Sequence, residues 1–102
     1  MTRTEVTMRY VIPEEVLAAH LQDEAVLLHT GSKRYFRLNA TGAAIWKGLE
    51  EGLSRAELLD RLCERFEVER GTAERSLDDQ LTRLCEAELL KPLEGAGEPS
   101  DG

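Results

Sequence analysis

Two hydrophobic rhythms divide the chain. Up to residue 38 the apolar positions fall in short runs separated by turn-forming residues; beyond it they recur at three- and four-residue spacing. Val6 to Ile12 contains several β-favouring residues and ends at Pro13, which suits a strand leaving its sheet. Pro13 to Leu21 reads as a short helical turn or a loop. Ala25 to His29 is an apolar run of strand length, and Lys33 to Leu38 alternates, with Phe36 and Leu38 on one face and Tyr35 and Arg37 on the other. Thr30-Gly31-Ser32 joins the two as a hairpin turn in which Gly31 is expected to supply the positive φ.

The second rhythm predicts helices. Asn39 can cap a helix from about Ala40 to Glu51, where Ile45, Trp46 and Leu49 share a face and Gly52 ends the run. Gly42, in the first turn, points to close packing against the strand layer. Ser54 with Glu57 forms a capping-box pattern ahead of the stripe Leu58, Leu59, Leu62 and Phe66. A further helix is expected from near Thr72 to Glu86, with Leu77, Leu81 and Leu84 inward. Leu89 and Leu90 pack its end, and Pro92 is expected to stop regular structure. The order strand, hairpin, helices predicts an α+β domain, a three-stranded antiparallel sheet packed on three helices. It divides into a folded body over 1–93 and a flexible acidic tail over 94–102.

Composition narrows the function classes. The chain has 102 residues, 41% hydrophobic and 32% charged, which suits one small domain with a modest core. Its 13 basic and 20 acidic residues give a net charge of −7. Setting aside the three acids of the tail leaves the body acidic, which disfavours nucleic acid as the main partner. No stretch approaches the roughly 20 apolar residues that span a bilayer, and Met1 to Met8 lacks the apolar core of a signal peptide. A cytoplasmic protein with no membrane partner is expected. Cys63 and Cys85 suit that compartment as free thiols in the core.

Candidate chemistry is sparse. His20 and His29 lie in different segments with no metal-ligand partner at helical spacing, so they read as solvated polar side chains and no metal is expected. No Ser or Cys stands in a nucleophile-elbow setting, and the glycines assemble no phosphate loop. Acid pairs such as Asp78-Asp79 follow solvated helix faces. The expectation is a protein that is not an enzyme and needs no cofactor. What stands out is a basic strand in an acidic chain: Lys33, Arg34 and Arg37 around Tyr35 and Phe36. Such a strand is either a charged edge protected against aggregation or an edge that accepts a peptide by strand addition, its cations selecting acidic side chains.

The segment Lys33 to Trp46, with its aromatic pair, Leu-Asn, small residues with Gly, then Ile-Trp, resembles the signature of the pyrroloquinoline-quinone (PQQ) biosynthesis protein D-like family. The apolar Ala25 to Leu28 strand, the Ser54 to Phe66 helix and Leu89-Leu90 fit as well, so the resemblance covers residues 8 to 91. It implies a winged helix-turn-helix-like fold and a non-catalytic role in recognising the leader peptides of ribosomally synthesised, post-translationally modified peptides. In that family the leader is added as a strand beside the third strand, in a groove against the third helix. The residues implied here are Lys33, Arg34, Tyr35, Phe36, Arg37 and Leu38, with Ser76, Gln80 and Arg83 on the third helix preferred to the flank of Asp78 and Thr82. Phe36 and Leu38 would support the groove floor, while Arg34, Tyr35 and Arg37 would be open to the ligand.

Two positions depart from the family pattern. Glu88 stands where a Gly often precedes the closing apolar residues, and Gln80 where a large apolar residue is common. The resemblance is closest to stand-alone leader-binding proteins of lasso-peptide clusters. It implies as partners a precursor leader peptide and either a cysteine-protease-like leader peptidase with an ATP-dependent macrolactam synthetase, or a radical S-adenosylmethionine (SAM) enzyme. A winged-helix DNA-binding regulator is the competing reading, and it requires a recognition helix able to meet phosphates. The expected third helix sets Arg75 and Arg83 against Glu74, Asp78, Asp79 and Glu86, an unfavourable balance.

Overall fold

The computed structural model describes residues 8–93. Five short strands and three helices follow in the order β1 (Arg9–Val11), β2 (Val16–His20), β3 (Ala25–His29), β4 (Arg34–Leu38), α1 (Ala40–Glu50), α2 (Arg55–Phe66), α3 (Arg70–Glu86) and β5 (Lys91–Leu93). The main sheet is antiparallel in the order β2-β3-β4, and β1 pairs with β5 in a separate two-stranded ribbon. The tail over 94–102 lies outside the described residues.

The sheet differs from the sequence expectation in one strand. The third member is Val16–His20 rather than the segment before Pro13, and it pairs along its length with β3 from Val16↔His29 to His20↔Ala25. Ala18 and Ala19 have weak intrinsic strand preference, so the strand is imposed by pairing with the Val- and Leu-rich β3 and by the tight Gln22-Asp23 turn. The end of the first expected strand instead joins β5, with Tyr10 opposite Pro92. Proline is excluded from central strands but not from a two-stranded ribbon, each of whose strands has a free side. The ribbon is tied to the helices: the Arg55 N–H donates to the Met8 carbonyl (2.9 Å) and the Arg9 guanidinium to the Gly52 carbonyl (2.9 Å).

The β3–β4 hairpin is as expected, but its left-handed residue is Lys33 (φ 62°) and not Gly31. The loop holds four residues between the paired His29 and Arg34, a length usually built around a type I turn. His29 is part of that turn, its Nδ1 accepting from the Ser32 N–H (3.2 Å). His20 is likewise engaged, its Nε2 lying 2.9 Å from Glu50, which also accepts from the Trp46 indole (3.0 Å).

The helices follow their sequence signals. Asn39 caps α1 by accepting from the Gly42 N–H (2.9 Å). Ser54 and Glu57 complete a reciprocal capping box on α2, and the backbone N–H of Ser54 holds the Glu57 carboxyl below its usual range. Gly42 is a close-approach residue, since a Cβ there would stand 3.2 Å from the Leu38 Cβ. Gly48 is tighter still: its absent Cβ would meet the Leu58 side chain at 2.5 Å, so this glycine sets the α1–α2 separation. Between the layers lies one core. Ala25, Leu27 and Leu38 of the sheet, Ile45 and Trp46 of α1, Leu58 and Leu62 of α2, Leu77 and Leu81 of α3, and the closing Leu89-Leu90 are buried in it. Cys63 and Cys85 lie half-buried against this core as free thiols, and burial pushes the Cys85 thiol up.

Candidate functional site

Hydrogen-bond parity along the sheet determines what β4 offers. The Thr30 N–H donates to Glu15 (2.8 Å) and the Leu21 N–H to Glu24 (2.9 Å), so the odd-numbered residues of β2 bond to β3. Continuing the ladder, Arg34, Phe36 and Leu38 bond to β3, and the backbone N–H and C=O groups of Tyr35 and Arg37 point off the sheet. With β4 at the end of the order, no described strand covers them. This edge lies beside α3.

Between them runs a groove of about 240 Å³, lined by Phe36, Arg37 and Leu38 from β4, by Gln80, Arg83 and Leu84 from α3, and by Ala87 and Leu89. The floor is apolar and the α3 side is polar. Gln80 leans on the first turn of α1, close to Gly42. Arg83 is well exposed and 3.4 Å from Asp79. Ser76, one turn before Gln80, opens instead on an adjoining apolar depression of about 230 Å³ with Thr41, Leu62, Phe66, Val68, Thr72 and Ala73. Asp78, on the other flank, is turned away: Arg55 grips both its oxygens (2.8 and 2.9 Å) and holds its carboxyl below the usual range.

The cations of β4 are not equivalent. Arg37 pairs with Glu24 at 2.9 Å while remaining exposed. Arg34 shares strand parity with Phe36, not with Tyr35, and its guanidinium lies 5.7 Å above the Phe36 ring. Tyr35 is 70% exposed on the opposite face of the sheet. Of the sequence-predicted residues, Phe36, Arg37, Leu38, Gln80 and Arg83 share one groove. Lys33 is at the turn, Arg34 at the strand's start, Tyr35 on the outer face and Ser76 in the adjoining depression. Leu84 and Leu89 line the groove without having been singled out, because their helical spacing reads simply as core. Val68 carried no sequence signal, and Thr41 entered only as one of the small residues in the Lys33 to Trp46 segment.

The arrangement provides an open backbone edge over an apolar floor, and no group of three or more metal-ligating side chains forms among the described residues. Such a cleft can hold an extended chain. Residues 24–90 match the family model for Coenzyme PQQ synthesis protein D (PqqD). The chain belongs to the PqqD family.

Two solved structures extend this PqqD assignment. TbiB1, solved in complex with the TbiA(beta) leader peptide, is 44% identical to this chain, with 85% of this chain and 98% of that one covered at a TM-score of 0.75. A lasso peptide synthetase B1 complexed with the leader peptide is 34% identical, with 81% and 98% covered and a TM-score of 0.74. The PqqD-type α+β fold is thus shared over almost the whole of both chains. No curated protein matches.

Proposed function

We propose that this PqqD-family protein binds the leader peptide of a ribosomally made precursor as an added strand on β4 and delivers it to a separate modifying enzyme. The observation that carries the reading is the pair of outward backbone units at Tyr35 and Arg37 beside the β4–α3 groove, in a chain 44% identical to one solved with a leader peptide. Backbone hydrogen bonds supply affinity and the groove selects alternate side chains. Arg34, Arg37 and Arg83 favour acidic residues at the rim, with Lys33 at one end and Ser76 at the other.

The protein adds no chemistry of its own in this reading. It holds the leader so that the attached core segment reaches another active site at high effective concentration. Residues 1–93 form the recognition domain, working in the cytoplasm beside its enzyme. In the lasso-peptide setting that the family resemblance implies, that enzyme is a leader peptidase, with a macrolactam synthetase acting on the product. The radical SAM enzyme of a cofactor pathway is the alternative partner. No described helix is long and apolar enough to cross a membrane. On α3, Arg70 is paired with Asp60 and Arg83 with Asp79, and the helix also carries Glu74, Asp78, Asp79 and Glu86, a balance that supports peptide over duplex.

The test is a titration with leader peptides encoded by short reading frames beside this gene, using duplex DNA as control. Saturable micromolar binding of one leader, with NMR shifts in the amides of Lys33 to Leu38, is the expected result. Salt-sensitive DNA binding without peptide binding would sink it.

A further inference from the structure

The sheet has two edges, and the one that the peptide reading leaves unused is the less protected. On β4 the exposed positions include Arg34 and Arg37, charges that discourage edge-to-edge pairing. β2 reads Val-Leu-Ala-Ala-His, with no Lys, Arg, Asp, Glu or Pro. The parity that turns Tyr35 and Arg37 outward on β4 does the same for the even residues of β2. The N–H and C=O of Ala18 and His20 point off the sheet, as does the C=O of Val16, whose N–H is taken by Pro13 (3.1 Å). No described strand pairs with this side. On the outer face, Leu17 is 56% and Leu21 54% exposed, and Leu17 stands in register with Leu28 and Tyr35.

We infer that β2 is a homodimer edge, pairing antiparallel with β2 of a second copy about a two-fold axis at Ala18. The occupant follows from self-complementarity. About that axis Ala18 meets its own counterpart and exchanges both N–H···O=C bonds, and each His20 N–H donates to the Val16 carbonyl of the other copy. The return bond of each outer pair, from the Val16 N–H to the His20 carbonyl, is not made because Pro13 holds that donor, so the seam carries four backbone hydrogen bonds rather than six. On the outer face Leu17 lies opposite Ala19 of the other copy, so the leucine at the centre of the seam meets an apolar side chain, while Leu21 lies beyond the paired residues. No charge lies opposite a like charge along the paired residues, which matters for an acidic chain of −7. The result is a continuous six-stranded sheet with the β4 edges at its two ends, so each copy keeps its groove free.

Sedimentation of the full chain, up to about 100 micromolar, tests this. Wild type should run at twice the chain mass. Leu17→Lys combined with Ala19→Lys sets Lys against Lys across the axis and should weaken the dimer by roughly tenfold or more. Both positions are exposed, so circular dichroism should be unchanged. Leu17→Glu combined with Ala19→Glu should behave alike, and mixing the two variants should restore a dimer of one copy of each.

A wild type that stays monomeric overturns the inference, as does a lysine variant that remains dimeric. A monomeric wild type whose lysine variant fails only with the modifying enzyme would assign the edge to that enzyme, also overturning it. Titrating a leader peptide in parallel separates the two readings. A dimer that binds no peptide discards the peptide reading alone, and a monomer that binds peptide discards the dimer alone.

Discussion

Tyr35 separates two kinds of edge interaction, because its side chain lies on the outer face while its backbone N–H points off the sheet edge. Tyr35→Pro therefore removes a donor that β3 does not use, leaving the ladder from Arg34, Phe36 and Leu38 in place. Loss of one net hydrogen bond, about 0.5–1.5 kcal/mol, plus local distortion should weaken leader binding by roughly tenfold. Calorimetric titration checks this, and unchanged affinity would remove β4 as the docking edge. Glu88 makes a different kind of statement. It departs from the family's glycine, yet the structure keeps the conformation that glycine serves, with Glu88 at φ 64° between α3 and the buried Leu89-Leu90. A left-handed non-glycine residue costs roughly 1–2 kcal/mol, partly offset by the smaller unfolded-state entropy of glutamate relative to glycine. Glu88→Gly should raise stability by about 0.5–1 kcal/mol in urea denaturation. A destabilised variant would mean that the glutamate side chain contributes more than the backbone strain.

At the scale of elements, charge placement on β4 and on the α2–α3 pair does different work. Replacing Arg34 and Arg37 with Glu should weaken binding of an acidic leader by roughly tenfold at low salt, and less at high salt because these groups are exposed. Equal or tighter binding would show that the cations protect the edge and select nothing. The Arg55–Asp78 pair instead holds α2, and β1 through Met8, to α3. Asp78 is depressed in the folded state, so its contribution to stability is present above the unfolded aspartate range, near pH 4, and is lost as pH falls through the lower folded value. Asp78→Asn should therefore lower the urea midpoint at pH 7 and lower it by less as pH falls below the unfolded aspartate range. An equal loss above and below that range would assign the effect to packing.

These elements also show where sequence reading succeeded and where it stopped. The β3–β4 hairpin and all three helices were legible because local signals agree with tertiary burial: alternation in Lys33 to Leu38, the Asn39 and Ser54 caps, and the leucine stripes. β2 was not legible, because Val-Leu-Ala-Ala-His becomes a strand only through its pairing with β3. The β1–β5 ribbon joins residues some eighty positions apart across a proline, which no local pattern announces. Within the site, the β4 residues followed from alternation. The groove's far wall did not, since Leu84 and Leu89 look the same in sequence whether they face a core or a cleft.

For the molecule as a whole, the proposed work is transport of a substrate segment over a short distance, and transport has a kinetic signature that catalysis lacks. A carrier that raises local concentration accelerates its enzyme at low precursor concentration and becomes dispensable once free precursor approaches the effective concentration, millimolar for short flexible connections. A subunit that supplied a reacting group would remain necessary at saturation. The expected outcome, with the modifying enzyme and its precursor reconstituted, is that this protein increases the rate at micromolar precursor and loses most of that advantage near millimolar. Tyr35→Pro should cut the low-concentration advantage by up to about tenfold, in line with its weaker leader binding, without altering the rate at saturation. Excess isolated leader should inhibit in the same range by occupying β4. A protein still required at saturating precursor, or insensitive to free leader, would place its contribution inside the enzyme's active site. In that case the open edge and apolar groove would be incidental to the chemistry.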